Sequence, residues 1–141
     1  MGSPIYVDAN VLIEAVEGPG DTLLADPGSL VANGTRVVTS DLTLAEVPTR
    51  PVRERSVEII AIYEELLSGR ELIESLAVDR DVLRKSAETR AWLGGKLPDS
   101  IHVATAVLVG CSVIVSSDRR LRVPAGLTRV ATSDLAGFLS S

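Results

Sequence analysis

Short β-branched segments alternate with amphipathic segments along this chain, and that alternation is the strongest constraint on its fold. Strands connected by helices form right-handed βαβ units, in which the strands run parallel and are covered on both faces. The sequence therefore predicts an α/β fold with a central parallel sheet of four to five strands and helices on both faces. The predicted strands are 5–7, 36–39, 71–78, 112–117 and 127–133.

Helices are predicted over the stretches between these strands, and capping or breaking residues set their ends. Asp8 suits the N-cap of the first helix, the Gly-Pro-Gly run at 18–20 ends it, and Pro48 ends a short helix written LTLAEV. A helix over 98–110 is apolar nearly all round and is expected to be buried. The predicted helices are 9–16, 21–32 with a break at 26–28, 42–47, 52–68, 79–93, 98–110 and a last turn or two within 134–141.

Length and composition indicate one globular domain covering residues 1–141. The hydrophobic fraction of 45% is typical of a packed protein of this size. No apolar run reaches the roughly 18 residues of a membrane span, and the N-terminus lacks the features of a signal peptide, so we expect a cytoplasmic protein with no membrane contact. The single cysteine, Cys111, lies in an apolar run and is expected to be a buried free thiol.

The net charge of −5 argues against a protein that coats nucleic acid through bulk positive charge. It does not exclude a local nucleic-acid site, because a bound cation inverts the field around it.

Four acidic residues lie where the predicted elements meet. Asp8 and Asp118 directly follow strands, Glu46 lies in the short helix after the second strand, and Asp99 opens the buried helix. Sites in parallel sheets form beyond the carboxyl ends of the strands, so these side chains are expected to converge. Like charges ~4 Å apart repel by roughly 4 kcal/mol at an effective dielectric of 20, which protonation or a divalent cation relieves. Oxygen-only ligands suit Mg²⁺ or Mn²⁺ and phosphodiester hydrolysis.

Each acid also has an ordinary structural interpretation. Asp8 and Asp118 suit caps or turns, Asp99 complements a helix dipole, and Glu46 fits a solvated helix face. The coincidence of all four at strand exits and helix starts is what favours a shared metal site.

Four segments resemble, in order, the four motifs of the PIN-domain family, and most closely those of its VapC-type toxins. The segments are IYVDANVLIEA, VTSDLTLAEV, LPDSIHVATA and VIVSSDRRL, and the resemblance spans residues 5 to about 139. The family consists of metal-dependent ribonucleases built on a parallel sheet with clustered acids. The resemblance therefore implies that Asp8, Glu46, Asp99 and Asp118 are the catalytic, metal-binding residues, with Mg²⁺ or Mn²⁺ as cofactor.

The resemblance also implies supporting positions around these acids. Asn10 matches the polar position two after the first acid, Ser40 a small polar residue ahead of the glutamate, and Ser116 the hydroxyl two before the last acid. Some relatives carry a further acid after the fourth motif, whereas this chain has Arg119 and Arg120. This departure puts a second metal ion in doubt and makes either arginine a candidate contact for RNA phosphate.

His102 lies three residues after Asp99 and can face the same side of that helix. The position invites a general-base role, but the apolar character of the helix favours structural packing.

VapC-type proteins are usually homodimers that pair with an antitoxin, so the resemblance implies a VapB-like partner, in a heterotetramer or larger complex, and an RNA substrate. Two alternatives stay open: a PIN-like RNA-processing nuclease outside a toxin pair, and a non-enzymatic binding module with an acidic metal site. A haloacid-dehalogenase-type phosphatase is disfavoured. Asn10 stands where that class needs its second aspartate, and neither Lys85 nor Lys96 follows a strand.

Overall fold

The computed structural model describes residues 3–18, 34–68 and 72–135, and its strands form one fully parallel sheet. The strands are β1 (Ile5–Val7), β2 (Val37–Ser40), β3 (Glu74–Leu76), β4 (Val113–Val115) and β5 (Thr128–Val130). Their order across the sheet is β3-β2-β1-β4-β5. The predicted parallel α/β fold is confirmed, although the third, fourth and fifth strands are shorter than predicted.

Helices connect the strands, as predicted, and most begin within a residue or two of the expected position. They are α1 (Ala9–Glu17), α2 (Thr43–Glu46), α3 (Thr49–Arg53), α4 (Val57–Ser68), α5 (Arg80–Leu93), α6 (Leu97–Val109) and a 3₁₀ turn at Thr132–Asp134. The predicted helix at 21–32 and the end of the last predicted helix, 136–141, lie outside the described residues. Within the described ranges, no helix has the length and apolar character needed to cross a membrane.

Alternate side chains of β1 enter two separate cores, which explains why the sheet is covered on both faces. Ile5 and Val7 pack on one face with residues of α1 and α4, whereas Tyr6 packs on the other with Val103 of α6 and with Cys111. Cys111 is a buried free thiol, as predicted, and burial raises the pKa of its thiol to about 11.

The order of the strands creates a switch point between β1 and β4. The chain moves outward from β1 to β2 and β3, then returns to place β4 on the other side of β1. Val7 pairs with Val115, so the next residues, Asp8 and Ser116, leave the sheet side by side. Ligands in open α/β sheets bind in the crevice at such a switch point, which makes this edge the place to look for a site.

The prediction of one helix over 52–68 is wrong at its start, because the chain turns sharply between α3 and α4. Arg55 adopts a left-handed conformation with φ of 56°. Its N–H donates to the carbonyl of Val52 at 3.2 Å, and the N–H of Ser56 donates to that of Pro51 at 2.9 Å. This is the Schellman pattern that ends a helix, in which glycine usually occupies the left-handed position. An arginine there gives no sequence signal of the break. The short helix before Pro48 ends at Glu46, as predicted, and Pro48 itself occupies the N-cap position of α3.

We expect Arg55→Gly to raise the free energy of unfolding by up to about 1 kcal/mol. Left-handed backbone costs a non-glycine residue roughly 1–2 kcal/mol, and the extra entropy of glycine in the unfolded chain offsets about 0.5–1 kcal/mol of that relief. Urea denaturation measures the change. Arg84→Gly, in the middle of α5, is the control and is expected to lose about 1 kcal/mol. An equal loss in both variants would contradict strain at Arg55.

Candidate active site

Asp8 joins the end of β1 to the start of α1 and is held from two directions. Its Oδ1 accepts a hydrogen bond from the backbone N–H of Val11 at 3.0 Å, which makes it the predicted N-cap. The side chain of Ser116, completely buried at the end of β4, also hydrogen-bonds the Asp8 carboxylate. Ser116 Oγ in turn accepts from the backbone N–H of Asp118 at 3.1 Å. Ser116 therefore links the first acid to the last across the switch point.

Asp118 closes a tight turn just after β4. Its Oδ1 accepts from the backbone N–H of Arg120 at 2.9 Å, and the carboxylate stays partly exposed. Asp99, in the first turn of α6, is partly buried nearby. Burial raises the pKa of Asp99, and the negative charge of Asp118 raises it further. Asp118 therefore lies close enough for its charge to oppose the ionisation of Asp99.

The charge of Glu46 acts on Asp8 in the same way. Burial raises the pKa of Asp8, the hydrogen bonds from Ser116 and Val11 oppose that rise, and the charge of Glu46 adds to it. The charge of Glu46 also raises the pKa of Asp99. The charge of Glu46 therefore acts on both Asp8 and Asp99, while a shared metal site of the four acids and their catalytic role stay predictions.

Glu46 is fixed by a buried histidine. His102 Nε2 lies 2.6 Å from Glu46 Oε1, and His102 Nδ1 lies 2.5 Å from the phenol oxygen of Tyr6. The side chain of His102 is only 5% exposed, against 32% for Glu46. Burial raises the pKa of Tyr6 well above its ordinary value, so the phenol keeps its proton. This arrangement favours the structural interpretation of His102 over a general base that meets solvent.

The supporting serine at 40 also makes a local backbone contact, whereas Asn10 faces solvent. Ser40 Oγ, fully buried at the end of β2, accepts from the backbone N–H of Leu42 at 3.0 Å and so shapes the turn into α2. Asn10 is exposed in the first turn of α1. Its predicted role at the metal site stays a prediction.

A cleft of about 430 Å³ opens beside Asp99 and Asp118. Basic side chains on the same lining make it bipolar. Its lining residues are Thr89, Gly94, Gly95, Lys96, Asp99, Ser100, Val103, Asp118, Arg120, Leu121 and Arg122. Of the two arginines predicted to contact phosphate, Arg120 lines this cleft and Arg119 does not. Asp8 and Glu46 are not part of the lining either.

Sequence reasoning missed Lys96 and Arg122 as residues of the site. Lys96 lies three residues before Asp99, and this spacing was the one signal available for it. Arg122 reaches the cleft through a long-range contact, because its Nη1 donates to the carbonyl of Leu93 at 3.0 Å. That bond ties the loop after β4 to the end of α5 and closes one wall of the cleft.

The donor set suits a hard divalent cation that keeps part of its water shell. Within residues 3–18, 34–68 and 72–135, no group of three or more His, Cys, Asp or Glu side chains is arranged to hold a metal ion. Mg²⁺ seldom uses such an all-protein cage and typically binds through one or two carboxylates, waters and substrate phosphate. Asp99 and Asp118, whose negative charges repel, provide carboxylate ligands of that kind.

The fold and these residues define an α/β domain with a bipolar cleft at the carboxyl edge of its sheet. The family model described as PIN domain matches residues 5–127. The chain therefore belongs to the PIN-domain family. No curated protein sequence matches it at a significant level.

Solved structures with the same fold cover nearly the whole chain. VapBC2 from Rickettsia felis, bound to a DNA fragment from its promoter, is 16% identical with a TM-score of 0.68 over 90% of this chain and 98% of that one. A toxin–antitoxin complex from Klebsiella pneumoniae is 19% identical, with a TM-score of 0.63 over 89% and 96%. PAE2754 from Pyrobaculum aerophilum is also 19% identical, with a TM-score of 0.66 over 99% and 97%.

We expect Asp8→Asn to leave the stability of the metal-free protein unchanged or higher, because it removes a buried charge and keeps an oxygen for the cap. Asp8→Ala removes the same charge and the cap, so it is expected to be about 1 kcal/mol less stable than Asp8→Asn. Urea denaturation without divalent ions measures both. A marked loss of stability in Asp8→Asn would mean that the Asp8 charge itself stabilises the fold.

We expect Asp99→Asn to become more stabilising as pH rises from about 4 towards 7. A carboxyl group whose pKa is raised above its ordinary value of about 3.9 binds more protons in the folded state, so ionising it destabilises the fold. That penalty is absent at low pH, appears as pH rises through the raised pKa, and persists above it. Melting temperatures without divalent ions at a series of pH values measure the difference from wild type.

Asp81→Asn, on the exposed surface of α5, is the matched control for loss of one negative charge. A constant difference between Asp99→Asn and wild type across this range would contradict the electrostatic coupling.

Proposed function

We propose that this protein is a metal-dependent endoribonuclease that hydrolyses RNA phosphodiester bonds and acts in the cytoplasm as the toxin of a type II toxin–antitoxin pair. The observation that carries the proposal is the bipolar cleft, in which Asp99 and Asp118 share one lining with Lys96, Arg120 and Arg122. Carboxylates attract a divalent cation and arginine forks or lysine ammonium groups attract phosphate, so one cleft offers both contacts that phosphodiester hydrolysis needs.

The basic side chains explain how an acidic protein can bind RNA. With a net charge of −5, the chain has no bulk attraction for a polyanion. A local attraction for phosphate comes from three basic side chains beside the acids, Lys96, Arg120 and Arg122. Phosphate contacts of this kind set the position of a nucleic-acid strand. In this arrangement the three cations orient the backbone so that a phosphodiester lies against Asp99 and Asp118.

The acids would hold Mg²⁺ or Mn²⁺, with Asp99 and Asp118 at the cleft and Asp8 and Glu46 behind them. When bound, such an ion supplies Lewis acidity and neutralises charge on the reacting phosphate. The protein's own contribution is to fix the carboxylates: Ser116 holds Asp8 and the turn at Asp118 together.

The toxin assignment is supported by family membership and by the solved structures of similar fold. Two of them are toxin–antitoxin assemblies by their descriptions, and each matches nearly the whole of this chain. Exposed apolar side chains, among them Trp92 at 84% and Val57 at 75%, provide surface for protein partners. A VapB-like antitoxin and a second copy of the chain are the partners proposed, giving a heterotetramer or larger complex.

Cleavage of single-stranded RNA by the purified protein tests the enzymatic proposal. Wild type is expected to cleave RNA with Mg²⁺ or Mn²⁺ and to stop when EDTA is added, with single-stranded DNA as a parallel substrate. Asp99→Asn is expected to lower kcat/KM at least about 100-fold, because a metal site contributes several kcal/mol to the transition state. Asp81→Asn is the matched control and is expected to cleave at the wild-type rate.

Two results would contradict the proposal. Equal cleavage by wild type and Asp99→Asn, or cleavage that survives chelation, would exclude a metal-dependent mechanism through these acids. Calorimetry that detects no binding of Mg²⁺ or Mn²⁺ would favour the non-enzymatic binding module. For the toxin assignment, a short reading frame encoding an antitoxin directly upstream of the gene is the expected finding.

A further inference from the structure

We propose that Tyr6 and His102 are positioning residues for Glu46: Tyr6 anchors the His102 ring by donating to Nδ1, and His102 donates from Nε2 a hydrogen bond that fixes the Glu46 carboxylate. The catalytic consequence rests on the proposed function. The hydrogen-bonded arrangement itself does not, and it is testable separately.

The arrangement joins three elements that are far apart in sequence. Tyr6 lies in the middle of β1, His102 in α6, and Glu46 at the end of α2. The phenol oxygen of Tyr6 lies 2.5 Å from His102 Nδ1, and His102 Nε2 lies 2.6 Å from Glu46 Oε1. Tyr6 is fully buried and His102 almost so, and water therefore does not compete for the bond between them.

The direction of each hydrogen bond follows from the chemistry of the end group. An ionised carboxylate can only accept, so Nε2 of His102 must carry the proton that points at Glu46. In a neutral imidazole the other nitrogen, Nδ1, is then an acceptor, and Tyr6 must be the donor to it. Reversing the tautomer would leave two acceptors facing each other at Glu46. Glu46 therefore selects the tautomer with the proton on Nε2, and the Tyr6 hydroxyl matches it by donating to Nδ1.

Glu46 needs such a partner because the element that carries it is short. The α2 helix has four residues and no side-chain hydrogen bond at its N-cap, and a glutamate side chain has three rotatable bonds. His102 holds Oε1, which leaves Oε2 for another ligand. Groups that orient a metal ligand in this way are typically hydrogen-bonded to it from behind.

The α6 helix carries both an acid of the cleft and the histidine that holds Glu46. Asp99 and His102 are three residues apart and so share one side of the helix. One turn of α6 therefore presents an acid to the cleft and holds a second acid from another element.

Nitrogen-15 NMR of the imidazole tests the arrangement directly, because the chain contains one histidine and its signals need no assignment. Wild type, recorded without divalent ions at a pH where histidine is neutral, is expected to show a single tautomer with the proton on Nε2. Tyr6→Phe keeps the ring and removes the donor, and it is expected to shift the signal of the unprotonated Nδ1, which loses its hydrogen bond. A proton on Nδ1 in wild type, or no change in Tyr6→Phe, would overturn the proposal.

Kinetics and metal binding then test the consequence for Glu46. His102→Phe is expected to lower kcat, and the affinity for Mn²⁺ measured by calorimetry, by about 10- to 100-fold, with little change in KM for RNA. His102→Gln restores an N–H donor near the position of Nε2 and is expected to recover most of that loss, which a merely structural role would not predict. Equal losses in the two variants would overturn the positioning role.

The two proposals fail in different ways. If wild type cleaves no RNA, the proposed function fails. The tautomer of His102 and the change of its Nδ1 signal in Tyr6→Phe still decide whether the hydrogen-bonded arrangement exists. If wild type cleaves RNA and the tautomer is the wrong one, the nuclease proposal stands and the positioning role is overturned. Because the NMR measurement on wild type needs no variant to fold, one result is always decisive.

Discussion

Mutual repulsion among partly buried carboxylates is the constraint on which the site depends. Burial and neighbouring charge both raise the pKa of Asp8 and Asp99, so the fold holds these groups in a state that is unfavourable without a counter-charge. Folds accept such a cost where a cation or proton relieves it during function. Here the cost is limited by local donors: the N–H of Val11 and the hydroxyl of Ser116 both bind Asp8.

The parallel sheet is what brings the acids together. Because β1 and β4 run side by side in the same direction, the residues that follow them leave the sheet at one edge. The α6 helix begins near that edge, and its first turn adds Asp99 beside Asp118. The same helix packs into the second core and buries His102 against β1. Packing of that core and placement of the acids therefore depend on the position of one helix. Mutations that loosen α6 should therefore disturb both.

The cleft contains both acidic and basic side chains, although the protein as a whole is acidic. Asp99 and Asp118 share the cleft with three basic side chains from the start of α6 and the loop after β4. Arg122 has a second task there, because its bond to the carbonyl of Leu93 joins that loop to the end of α5. Long-range attraction for a polyanion is therefore weak, and recognition depends on contacts made inside the cleft.

The sequence by itself determined the features that depend on neighbours along the chain. These are the positions of the strands, the cap at Asp8, the buried thiol of Cys111 and the acids at strand ends, because periodicity and capping act over a few residues. Only the tertiary structure decided the break at Arg55, the approach of Arg122 to the cleft, and the pairing of His102 with Tyr6 and Glu46. The physical reason is distance along the chain: Tyr6 and His102 are 96 residues apart, and no local pattern encodes which buried polar groups will meet.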